Sequence, residues 1–277
     1  AMATHKYDVS VEAEYGDTVI EGAYLTLAHH TGEWRKNPAP CEHPSLENNP
    51  YTSALISHLD LDTVGGLMAA EGVKPQSVHA MCFWKAAGFV DTRGPHHLYQ
   101  LPSEDQSLLK AFWKFSSEQE RVRYTDLTDV TETYVKYRDF LISLLTDADF
   151  ALKAVLEGQT WYDLQQLEVE NRLVSETLAV RTFVTDGAFC NAAYYSPLLG
   201  QIVPAVVSLN TKTGSVTLSF AAGAGSIISA RDIVQKLWGA EAGGHHGIAG
   251  SPRGQVMTRK DLQDCVNAVL DALTVTA

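Results

Sequence analysis

The run Ile56-Ser57-His58-Leu59-Asp60-Leu61-Asp62-Thr63-Val64-Gly65-Gly66 decides how the chain is read. An apolar lead-in, Ala54 to Ile56, marks a strand, and His58, Asp60 and Asp62 follow at alternate positions. Successive side chains of an extended strand point to opposite faces. A strand over 54–61 therefore gathers these three on one face and turns Leu59 and Leu61 toward a core. One imidazole with two carboxylates is a hard N/O donor set that suits Mn²⁺ or Mg²⁺, and Zn²⁺ less specifically. The alternative is that Asp and Thr here only start a helix, since both are good caps. Residues 63–71 then read as a short helix. Gly65 and Gly66 lower its propensity but allow backbone close to an ion or phosphate.

Working outward, residues 7–28 read as two strands, 7–13 and 18–27, with Gly16-Asp17 between them. The second ends in Ala28-His29-His30, a pair that is either a set of ligands or part of a turn. Downstream, the apolar stretch 83–90 ends in Asp91, Arg93 and the pair His96-His97, a second cluster of ligand types. Its plain alternative is a turn capped by Asp91, with Arg93 pairing to it on the surface. Apolar residues at three- and four-residue spacing predict helices over 106–115, 131–145, 149–156 and 161–178, a helical connector. Strands are expected at 179–185, 189–194, 203–209 and 215–220, with a hairpin signal at 210–214. A helix over 229–237, a glycine-histidine run at 242–251 and an amphipathic helix over 258–273 complete the chain.

The 277 residues suffice for one large domain or two modest ones. With 45% hydrophobic and 19% charged residues the composition is that of a globular protein, and no apolar run is long enough to span a membrane. The first residues hold no signal-peptide-like segment, and Ala1 ahead of Met2 reads as a remnant to be set aside. Four cysteines without a CxxC pair, Cys41, Cys82, Cys190 and Cys265, are expected to be reduced, buried thiols of a cytoplasmic protein. The net charge of −12, from 21 basic against 33 acidic residues, argues against a long nucleic acid as partner. A small phosphorylated substrate remains compatible, because bound ions supply the positive charge.

Two distant segments resemble one family. Ser57-His58-Leu59-Asp60-Leu61-Asp62 resembles the first motif of the DHH phosphoesterase superfamily, and Gly243-Gly244-His245-His246-Gly247-Ile248-Ala249-Gly250 resembles the signature of its C-terminal DHHA1 domain. The order, metal motif early and glycine-histidine motif late across a helical linker, matches as well. The sequence departs from the pattern in having Ala242 before Gly243, Ile248 where a small residue is usual, and no plain Asp-His-His.

The resemblance implies an α/β protein: a DHH-like domain with helical connector over residues 1–160, and a smaller DHHA1-like α/β domain with a mixed sheet over 178–277. It implies two Mn²⁺ or Mg²⁺ ions held by His58, Asp60, Asp62 and Asp91 with members of His29, His30, His96 and His97. It casts His97 and Asp91 as the catalytic pair. Such ions, about 3.5–4 Å apart, share and ionise a water that attacks phosphorus. Gly243, Gly244, His245 and His246, with Arg181 or Arg253, would grip the substrate phosphate across an interdomain cleft. The implied substrate is a dinucleotide, a short oligonucleotide or a nucleotide bisphosphate, and a homodimer is left open. Two competing readings are a non-catalytic nucleotide-binding module with an incomplete metal site and a Zn²⁺ hydrolase of another fold.

Overall fold

The structure, a computed structural model, describes residues 6–15, 18–30, 32–47, 51–119, 128–167, 170–173, 179–187, 189–197, 201–221, 228–252 and 254–275. The chain divides into two compact units, residues 1–93 with 101–159, and residues 94–100 with 160–277. No helix among the described residues is long and apolar enough to cross a membrane.

In the first unit three short strands, β1 (Val9–Val11), β4 (Leu25–Leu27) and β5 (Ala54–Ile56), form a parallel sheet in the order β4-β1-β5. Val9 lies opposite Leu25 and Ala54, and Val11 opposite Leu27 and Ile56. All three residues of central β1 are buried, as a strand covered on both faces requires. Between β1 and β4 the chain makes a small antiparallel pair, β2 (Glu14–Tyr15) with β3 (Thr18–Val19). The strand expected over 18–27 is therefore broken into β3 and β4.

The His-x-Asp-x-Asp segment is not a strand. β5 stops at Ile56, and α1 runs over Leu61–Glu71 with Asp60 as its N-cap, the Asp60 carboxylate accepting the Thr63 N–H at 2.9 Å. The capping chemistry of Asp60 thus prevailed over strand alternation. Helix α1 is buried on all sides from Leu61 to Ala70, which explains its paired glycines. A Cβ on Gly65 would lie 2.6 Å from Cys41 Cβ, and one on Gly66 2.9 Å from Pro40 Cβ. The glycines admit the 3-10 turn Pro40–Glu42, not an ion or phosphate.

The remaining helices of this unit are α2 (Val78–Arg93), α3 (Ser103–Glu118), α4 (Thr131–Thr146) and the first part of α5 (Ala148–Leu167). The apolar stretch 83–90 is the middle of α2. The two helices expected over 149–156 and 161–178 are one helix ending at Leu167. Phe115 and Phe140 stack at 4.0 Å between α3 and α4, and the Glu71 carboxylate ties α1 to α4 through Tyr134 (2.6 Å) and Arg138 (2.8 Å).

The second unit is built on a six-stranded mixed sheet in the order β10-β11-β9-β8-β7-β6. Its members are β6 (Glu170–Leu173), β7 (Ala179–Thr185), β8 (Ala205–Asn210), β9 (Ser215–Phe220), β10 (Gly243–Gly244) and β11 (Ile248–Gly250). Only β7 and β8 pair in parallel. The Asn210 side chain accepts the Lys212 and Thr213 amides, and Gly214 takes φ 66° to close the β8–β9 hairpin. Val180, Leu209, Leu218 and Ala249 pack with Val234 of α7 (Ala230–Trp238) and Val266 and Val269 of α8 (Arg259–Val275).

Residues 170–173, read as helix, pair with β7, where sheet hydrogen bonds outweigh a modest helical pattern. Residues 191–194, read as strand, form the one-turn helix α6 (Asn191–Tyr194), whose Tyr194 stacks on Phe183 of β7 at 3.8 Å. The cysteines are free thiols, three buried as expected and Cys82 exposed.

Where α5 crosses α3, a Cβ on Gly158 would lie 2.5 Å from Ala111 N and 2.6 Å from Ala111 Cα. Backbone cannot move aside as a flexible side chain can. Gly158→Ala is therefore expected to lower unfolding free energy by about 1–3 kcal/mol in chemical denaturation.

Candidate metal centre

All three parallel strands of the first unit end at the same edge of the sheet, and each delivers polar side chains there. Glu12 follows β1, His29 and His30 follow β4, and His58 follows β5, with Asp60 and Asp62 at the start of α1 and Asp91 near the end of α2. The carboxyl ends of parallel strands are the usual place for such groups, because loops diverge there and leave a crevice. Three groups of potential ligands result: Glu12 with His29 and His30, Glu12 with His58 and Asp60, and His29 with Asp62 and Asp91. Within each group the ligand atoms lie within 4.8 Å of one another.

Glu12 is the residue that sequence reasoning missed. It is buried at 2% exposure and takes φ 49°, a left-handed conformation rare for a side chain other than glycine or asparagine. Its backbone is held there by its own N–H donating to the Leu27 carbonyl (2.8 Å) and by the Ser57 hydroxyl donating to its carbonyl. The sequence carries no signal for it, because alternation with Val9 and Val11 would send Glu12 to solvent.

The geometry has a floor of buried residues, Glu12, His29 and Asp62, reached from solvent by Asp91, and an open rim. On the floor, His29 Nε2 lies 2.9 Å from Glu12 Oε1, 3.3 Å from Asp62 Oδ2 and 3.2 Å from Asp91 Oδ2. On the rim, His30 Nε2 is 2.7 Å from Glu12 Oε1, and His58 Nε2 is 3.0 Å from Asp60 Oδ2 and 3.5 Å from Glu12 Oε2. Side chains that touch protein elsewhere orient the ligands. Thr63 Oγ1 donates to Glu12 Oε2 (3.0 Å), the Cys41 N–H donates to Asp62 Oδ1 (2.7 Å), and Ser57 Oγ lies 2.8 Å from His58 Nδ1. Arg35 Nε donates to the His30 carbonyl (2.8 Å).

One ring nitrogen carries at most one proton, so His29 cannot satisfy three carboxylate oxygens by hydrogen bonding. Asp62 Oδ2 is buried and accepts no hydrogen bond among the described residues. Burial and charge crowding shift the ionisable groups of the cluster. Burial and the charges of Asp62 and Asp60 push Asp91 up to about 7. His29 is pushed up to about 10, ion pairing with Asp62 and Glu12 outweighing its burial. The Asp60 contact takes His58 up to about 9. Burial opposes ionisation of Glu12, yet its two histidine partners hold it well below the usual carboxylate range. Four carboxylates crowded around three imidazoles that hold their protons tightly fit a cation that takes the place of those protons, and the mixed imidazole–carboxylate donors fit a divalent one.

The other expected site residues belong to the second unit. His96 and His97 sit in the 3-10 segment Pro95–Gln100, where the buried His96 ring lies 5.3 Å from that of Tyr195. Burial and the neighbouring His97 pull His96 down to about 4. Neither falls in a potential metal group among the described residues. Gly243 and Gly244 form β10. A Cβ on Gly244, at φ 146°, would meet the Ile248 carbonyl at 2.5 Å, so the narrow hairpin itself demands glycine. His245 and His246 are exposed, and the His246 carbonyl accepts the Ala230 N–H at the start of α7. Arg181 is buried on β7, with Nη1 donating to the Ala193 carbonyl (3.2 Å) and Nε without a partner among the described residues. Arg253 lies outside the described residues.

No family model matches the sequence, and no curated protein matches it. Among solved structures the chain is similar to PggH, a pGpG-specific phosphodiesterase from Vibrio cholerae. The identity is 12% and the TM-score 0.47, over 99% of this chain and 100% of that one.

The shifted groups set a pH dependence in the metal-free protein. His29 and His58 bind protons more tightly folded than unfolded, so they stabilise fully below 6.5, and this is lost as pH rises through about 9 and 10. Asp91 acts in the same direction: its contribution is complete below 3.8 and gone above about 7. Lys74, lowered to about 8 by burial, acts in the opposite direction above that pH, so the melting temperature of metal-free protein should fall between about pH 6 and pH 8, and added Mn²⁺ should raise it more at pH 8 than at pH 6. A melting temperature indifferent to both pH and Mn²⁺ would contradict the cluster.

Proposed function

We propose that the chain is a divalent-metal-dependent phosphohydrolase of the DHH type, acting on a short phosphorylated compound such as a dinucleotide, a short oligonucleotide or a nucleotide bisphosphate. The observation that carries this is the crowding of three carboxylate oxygens within 3.3 Å of a single imidazole nitrogen, at the open end of a parallel sheet. Glu12 belongs to two of the ligand groups through its two carboxylate oxygens and would serve both, whereas His29, with one ring nitrogen facing the acids, would hold a single ion. The motif resemblance around His58, Asp60 and Asp62 supplies the reaction class, and the net charge of −12 favours a small substrate over a polynucleotide.

Glu12, His29, His30, His58, Asp60, Asp62 and Asp91 would hold the ions, Mn²⁺ or Mg²⁺ by their donor chemistry. Bound there, divalent cations supply charge neutralisation at phosphorus and a water ionised near neutral pH. The protein's own part is to hold its ligands ready. Ser57 fixes the His58 ring so that Nε2 faces Asp60 and Glu12, and Thr63 and Cys41 each anchor one oxygen of a carboxylate. Burial of Glu12, His29 and Asp62 limits the screening of these charges by bulk water, while the more open Asp91, His30, His58 and Asp60 leave an approach for substrate. Roles for His97 in catalysis, and for Gly243, Gly244, His245, His246, Arg181 and Arg253 in holding substrate phosphate, rest on the sequence resemblance.

Asp60→Asn tests the reading without disturbing the fold, because asparagine caps a helix as well as aspartate does. With Mn²⁺ and a linear 5′-phosphorylated dinucleotide, the wild-type protein should release mononucleotide. The variant should lose more than about a hundredfold in turnover while still unfolding in one cooperative transition. Equal turnover in the two proteins, or none in the wild type across Mn²⁺ and Mg²⁺, would refute the assignment.

A further inference from the structure

Lys74 is a buried cation of the first unit that the metal reading leaves unused. It is 5% exposed, and its ammonium donates to the carbonyls of Cys41 and His43 (2.6 Å to the latter) and stands 4.7 Å above the Trp84 ring. No carboxylate pairs with it among the described residues. The residue it grips, Cys41, donates its own N–H to Asp62 Oδ1 at 2.7 Å. From the other side, Gly65 of α1 lets Cys41 press so close that a Cβ would come within 2.6 Å of it.

We propose that Lys74 is a positioning residue for the metal centre: it clamps the Pro40–Glu42 turn so that the Cys41 amide holds Asp62 Oδ1 and leaves Oδ2 turned to the cation. The inference rests on the metal reading above. It also makes a prediction opposite in sign to simple electrostatics. A lysine charge near an anionic site repels a divalent ion, so removing that charge alone would tighten metal binding. Removing a clamp that orients a ligand loosens it, typically by about 10–100-fold.

The experiment is titration calorimetry of Mn²⁺ into the full chain, comparing wild type with Lys74→Met and Gly65→Ala. Gly65→Ala displaces the same turn without altering any charge, and it carries the test should the methionine variant fail to fold. Both variants should bind Mn²⁺ about 10–100-fold more weakly than wild type. A Lys74→Met protein that folds and binds Mn²⁺ as tightly as wild type, or more tightly, overturns the inference, as does unchanged affinity in a folded Gly65→Ala. Absence of Mn²⁺ binding in the wild type would overturn the metal reading and this inference with it.

Discussion

The contact on which the first unit's site depends is His29 Nε2 against Glu12, Asp62 and Asp91. Like charges this close repel, and burial removes the water that would screen them. One protonated imidazole offsets part of that repulsion. Its single N–H leaves Asp62 Oδ2 without a donor among the described residues and Asp91 poised to take a proton near neutrality. A protein retains an arrangement of this cost where the fold supplies compensation, and here the fold has invested in it. The left-handed Glu12 backbone, the Thr63 and Cys41 hydrogen bonds and the buried Lys74 clamp all serve to hold acids in place.

The parallel sheet makes this possible with little chain. Three strands of three residues each end together, so that Glu12, the His29-His30 pair and His58 reach one edge although they are separated by up to 46 positions. Helix α1 then adds two further acids from one segment, Asp60 as its cap and Asp62 in its first turn. The glycine pair that follows lets the Cys41 turn approach α1, and the turn in turn orients Asp62. Local rules and the site are thus coupled: the same residues that start the helix supply ligands.

How much of this the sequence disclosed can be judged residue by residue. The clustering of ligand types after apolar segments was visible in His29-His30, in His58-x-Asp60-x-Asp62 and in Asp91, since each ends or begins a regular element. The geometry was misread, because capping by Asp60 ends the strand that alternation would have continued. Glu12 was hidden, since its role depends on a positive φ that no residue type announces. Lys74 and Cys41 were hidden too, because a lysine in a loop is ordinarily a surface charge and only packing shows it buried. In the second unit the β8–β9 hairpin was legible from turn chemistry. Strand β6 and helix α6 were not, because their states are set by pairing and stacking against β7.

The most direct test is an anomalous-difference map from crystals of the wild-type protein grown with Mn²⁺. The account predicts manganese density in direct ligand contact with Glu12 and His29, shared with Asp62 and Asp91 on the floor or with His58 and Asp60 on the rim. Ordered side chains in the present arrangement with no manganese among them, or manganese bound only elsewhere on the chain, would contradict it.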